Sequence, residues 1–127
     1  MAYSADIQKI LLRIQQSEMT EAAAYHAMAD AIKDEHNREA LARVADEIAS
    51  QAKALETYTN KQLAADERKV KRYARMARIF GFTFAAKLMD RRKIKFVNHS
   101  KKLLSEVPEV EKMQADEQKR DNELFAL

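Results

Sequence analysis

Apolar residues recur at helical spacing through most of the chain. Ile7, Leu11, Ile14, Ala22, Tyr25, Ala29 and Ile32 form one row, with Glu18 inside it, and a three-to-four-residue period marks one face of an α-helix. This row predicts a first helix over 5–32. A polar turn follows at 33–37, with Asp34 or Asn37 as the next cap. Leu41, Val44, Ile48, Gln51, Leu55 and Tyr58 define a second helix, which weakens at Thr59 and Asn60, and a connection runs to about Ala65. From 66 to 104 only Gly81 interrupts the pattern. One Gly costs about 1 kcal/mol in a helix interior, so it bends this long third helix or splits it in two. Pro108 forces a boundary, because Val107 before it is pushed away from helical angles and Pro fits a first helical turn. A fourth helix is predicted over 108–124, with Val110, Met113, Glu117 and Leu124 on one face. Long helices with short connections predict an all-α, antiparallel four-helix bundle, a single domain over 1–127.

Composition narrows the chemistry. The 127 residues include no Cys, which excludes disulfides, thiolate metal sites and cysteine nucleophiles. One Gly and one Pro exclude a turn-rich β fold and a Gly-rich phosphate loop. The longest uncharged apolar run, 79–86, is far too short to span a bilayer, and no apolar leader follows Met1, so the expected location is cytoplasmic. Net charge is +3 but unevenly spread. Residues 61–104 carry 14 Lys/Arg against 3 Asp/Glu, while the flanking segments 1–60 and 105–127 are each net −4. Such a basic segment is either a helix packed among acidic ones or a surface for anionic lipid or nucleic acid. The run 68–78 is amphipathic enough to lie on an anionic membrane. Phe80, Phe82 and Phe84 concentrate more aromatic area than one small bundle buries, which predicts a homodimer through the Gly81 region.

Two carboxylates stand on apolar faces: Glu18 between Ile14 and Ala22, and Glu117 four residues after Met113. A buried carboxylate needs a cation, a metal or strong donors. A bundle that buries several can hold two metal ions, using a Glu from each of two helices and a Glu-x-x-His pair from each of the others. The alternative is a snorkelling side chain, or one paired with Arg120 or Arg91. His26, His36 and His99 do not follow a Glu at that spacing and read as surface or packing residues.

Several segments together carry a family resemblance. QQSEMTEAAAYHAMA (15–29), KDEHNREALARVADE (33–47), YARMARIFGFTFAAKLMDR (73–91) and EVPEVEKMQADE (106–117) resemble a rubrerythrin-type ferritin-like domain. More narrowly, they resemble the cytosolic ferritin-like domain that precedes the membrane part of vacuolar-iron-transporter-type proteins. The resemblance extends over nearly the whole chain, and 77–84 followed by Lys87-Leu88-Met89 is its most specific part. It implies a four-helix bundle that commonly dimerises and holds a di-iron or di-manganese centre.

The same resemblance implies ligand positions, and most of them are altered here. The first-helix Glu, seven residues before a Tyr, matches Glu18 with Tyr25. The second-helix Glu-x-x-His falls on Ile48 and Gln51, and the third-helix Glu on Ile94, beside Lys93. The fourth-helix Glu-x-x-His falls on Glu117 and Arg120. Glu18 and Glu117 are thus remnant metal ligands. Glu47 is about 100° out of phase with Ile48 and is no substitute.

The leading expectation is a degenerate ferritin-like domain. Its role would be structural or regulatory, as a soluble part of an iron/manganese-transporter-type membrane protein, with no cofactor and no catalytic residue. The ending 123–127, which lacks a cap, fits a following transmembrane part. Two alternatives stand beside it. One is an active ferroxidase or metal-binding module with iron or manganese, supplemented by Glu21, Glu47 or Asp121. The other is a basic helical module for an anionic membrane or nucleic acid, without specific nucleic-acid recognition.

Overall fold

The structure, a computed structural model, describes residues 5–91 together with Ala115, Asp116 and Lys119. Every regular element among these residues is a helix, and no strand occurs among them. Helix α1 spans Ala5–Met28 and closes in a 3-10 turn at Ala29–Ala31. Helix α2 spans Glu35–Thr59 and helix α3 spans Glu67–Phe80. Residues 82–91 are helical again, as are Ala115, Asp116 and Lys119. The predicted fourth helix, 108–124, otherwise lies outside the described residues, as do Ile94, His99, Glu117 and Arg120.

Polar side chains set the helix boundaries. The first α-helix stops earlier than its apolar row suggests, because Ile32 turns to extended angles (φ −96°, ψ 120°) and its N–H closes on the Ala29 carbonyl. The Asp34 carboxylate accepts the Asn37 N–H at 3.0 Å and starts α2, satisfying a first-turn donor. The Arg38 guanidinium returns to the Ile32 carbonyl at 2.9 Å and fastens the turn. At the far end Asn60 adopts the left-handed conformation (φ 55°) and donates to Glu56 O, as Asn does more readily than most residues. Asp66 caps α3 by accepting from the N–H groups of Arg68 and Lys69.

Two contacts show that α1 and α2 are antiparallel. Gln8 Nε2 donates to Tyr58 O at 3.0 Å, and His26 Nε2 meets Asp46 Oδ1 at 3.1 Å. The connection 60–66 then runs back along α1, so α3 starts beside the middle of that helix: Gln15 Nε2 donates to Lys61 O and the Thr20 hydroxyl accepts the Asp66 N–H. The apolar interior forms two clusters. A small one gathers Ile7, Leu11, Ile14 and Leu55. A larger one joins Tyr25, Met28, Leu41, Val44 and Ile48 to Tyr73, Ala77, Phe82, Ala85, Ala86 and Met89. The Tyr25 and Phe82 rings meet at 6.1 Å, tilted by 55°, a favourable aromatic arrangement.

Candidate functional site

A band of polar side chains separates the two apolar clusters. On α1 it comprises Gln15, Glu18, Thr20 and Glu21, all buried, and Thr59 joins it from the end of α2. Gln15 is only 1% exposed, yet both ends of its amide are engaged. Its Nε2 donates to Lys61 O at 2.6 Å, and its Oε1 accepts from the Thr59 hydroxyl at 2.6 Å. Thr20 donates to Gln16 O while accepting from the Asp66 N–H, both at 2.9 Å. These bonds lock the connection 60–66 against α1. They also remove the cost that buried, unmatched polar groups would otherwise carry.

Glu18 is 2% exposed, as its place in the apolar row predicts. The antiparallel register puts it level with the turn of α2 that carries Ile48 and Gln51. Ile48 is 1% exposed and belongs to the large apolar cluster. Gln51 is partly buried and donates from Nε2 to Asp116 Oδ2 at 3.1 Å, which fixes Asp116 against α2. A carboxylate only accepts, so the amide nitrogen must face Asp116 and the amide oxygen must face away from it. Gln51 Oε1 is buried there without a hydrogen-bond partner.

This donor set does not fit a two-metal centre at the described positions. Ile48 has no ligating atom, and the Gln51 amide is a neutral, weak ligand already oriented by Asp116. Among the described residues, no group of three or more His, Cys, Asp or Glu is placed to hold a metal ion. His26 and His36 are exposed, and His26 pairs with Asp46 on the surface rather than entering the interior. Arg91 is exposed at the end of the described segment.

The sequence identified Glu18 in its apolar row and offered Glu21 as a supplementary ligand, but missed Gln15, Thr20, Thr59 and Asp116. One signal was available. Gln15, Glu18, Ala22 and Tyr25 follow the i, i+3, i+7, i+10 spacing of a buried seam, and Gln15 is its polar first member.

The part of the basic segment on α3 forms an outer surface. Val70, Tyr73 and Ala77 bury one side of α3, while Arg68, Lys69, Lys71, Arg72, Arg75 and Arg78 are exposed. The Arg72 guanidinium lies 5.9 Å from the centre of the Tyr73 ring, within cation–π range. No helix among the described residues is long and apolar enough to cross a membrane. Compared with known protein families, with curated proteins and with solved structures, the chain matches none.

Proposed function

We propose that this chain is a ferritin-like bundle whose interior has exchanged di-metal chemistry for protein–protein packing and hydrogen bonds. It serves as a structural or regulatory domain, a cytoplasmic part of an iron- or manganese-transporter-type membrane protein. The observation that carries the reading is Ile48, buried at 1% exposure where the resemblance puts a carboxylate ligand. One turn later Gln51 stands where it puts an imidazole, and hydrogen-bonds across to Asp116. Both replacements support a filled interior. Isoleucine supplies core volume, and a neutral amide supplies a directed hydrogen bond without the charge needed to balance two divalent ions.

The proposed third- and fourth-helix replacements, Ile94 and Arg120, extend the same pattern, since a guanidinium stays charged and cannot ligate. Glu18 and Glu117 then remain as acidic residues of the former site. The reading is tested by ferrous oxidation under air. The unmodified chain is expected to give no acceleration over buffer. A quadruple variant carrying Ile48→Glu, Gln51→His, Ile94→Glu and Arg120→His is expected to bind iron and accelerate oxidation, whereas each single change does neither. Rapid oxidation by the unmodified chain, abolished by Glu18→Ala, would overturn it.

A further inference from the structure

Helix α3 and the helical turn after it carry a surface that the interior does not use. Arg68, Arg72, Arg75 and Ile79 fall on one line at i, i+4, i+7 and i+11, on the side of the helix opposite Val70, Tyr73 and Ala77. The line is about 16 Å long at 1.5 Å per residue. Lys71 and Arg78 flank it and are also exposed. At its end the chain exposes apolar side chains: Ile79 and Phe80 are each 65% exposed and Phe84 is 51% exposed. Gly81, at φ 96°, breaks the helix between them and brings the Phe80 and Phe84 rings to 5.1 Å. Phe82, by contrast, packs into the core. The result is a continuous cationic strip with an aliphatic and aromatic tip.

We infer that this strip and its tip dock on an anionic lipid surface. Two features select that partner. Within 67–91 the acidic residues are Glu67 and Asp90 alone, against eight Lys/Arg, so the field over this face attracts negative charge. Ile79, Phe80 and Phe84 offer apolar area without hydrogen-bonding atoms, which suits insertion among acyl chains while the flanking Arg side chains reach the headgroups. A second copy of the same face would set one cationic strip against another, because a two-fold contact uses the same patch on both copies. Duplex nucleic acid would also meet the Arg and Lys side chains, but its phosphate backbone offers no apolar partner to Ile79, Phe80 and Phe84. The inference concerns the outer face and stands or falls separately from the reading of the interior.

The test is sedimentation of the full chain with phosphatidylcholine vesicles, with and without about 30% phosphatidylserine. Binding to the anionic vesicles alone is expected, and it should vanish in molar salt. R72A with R75A is expected to weaken partitioning about thirtyfold, from ~1 kcal/mol for each cation near the surface. F80S with F84S is expected to weaken it as well, with helicity by circular dichroism unchanged. The chain contains no Trp, so F84W gives a single indole reporter. Its emission should shift to the blue on anionic vesicles and be quenched by brominated acyl chains. Failure to sediment with either vesicle, or an F84W emission that stays at its value in water, overturns the inference. So does a dimer in light scattering that F80S with F84S dissolves, which would assign the tip to a second copy. Tighter binding to duplex DNA than to vesicles, insensitive to F80S with F84S, would assign the strip to nucleic acid.

Discussion

Gln15 shows what a buried polar side chain requires in this interior. Its amide bonds to the Thr59 hydroxyl and to the Lys61 carbonyl, one partner for each end. Gln15→Leu keeps most of the volume and strands both partners. The expected loss is about 1–3 kcal/mol, the desolvation cost of unmatched buried groups, read as a lower urea midpoint with the slope unchanged. An unchanged midpoint would mean that water replaces the amide. Glu18 is equally buried and is engaged with other groups. Glu18→Ala removes those interactions and leaves a cavity, for an expected loss of about 2–4 kcal/mol in the same measurement. Unlike Gln15, Gln51 has one of its two amide ends unmatched. Gln51→His, which the restored ligand set needs, therefore disturbs a position that already lacks full satisfaction.

At the scale of the elements, short polar signals place the boundaries and one glycine redirects the chain. Asp66 bonds two backbone N–H groups at the start of α3. Asp66→Ala is expected to cost about 1 kcal/mol, visible as a drop in the thermal midpoint and as earlier amide exchange at Arg68 and Lys69. Gly81 sits at φ 96°, ψ 156°, with nothing within 4 Å of where a Cβ would stand. The barrier to substitution is thus backbone strain rather than a clash, and Gly81→Ala is expected to destabilise by about 1–3 kcal/mol, measured by urea unfolding. A neutral Gly81→Ala would show that the turn relaxes to ordinary angles. Much of this was legible from spacing. Asp34 and the weakening at Thr59–Asn60 stand out as punctuation, and Leu41, Val44, Ile48 and Leu55 follow a helical period and are buried. What was not legible depends on tertiary packing. Gln15 is buried because the connection 60–66 folds back over α1, which no local period encodes. Phe82 turns inward while Phe80 and Phe84 stay outside because the φ of Gly81 resets the phase of the helix that follows. A run of aromatics alone cannot distinguish these three positions.

Among the described residues, the cationic and the buried polar side chains lie in different places. The cations gather on the outside of α3, while the interior between α1 and α2 holds neutral amides, hydroxyls and a few carboxylates. The all-helical character follows from composition and period. The identity of the interior was legible only in part: Glu18 could be placed in the buried row, but the amide at Gln51 gains its meaning from Asp116, 65 residues away. The central claim is that this interior is completed by side chains and not by metal ions. Elemental analysis of the full chain, purified without chelators and then equilibrated with ferrous or manganous ions and desalted, tests it most directly. The account predicts far less than one metal ion per chain. About two ions per chain, as a di-metal bundle would hold, and their loss on Glu18→Ala would contradict it.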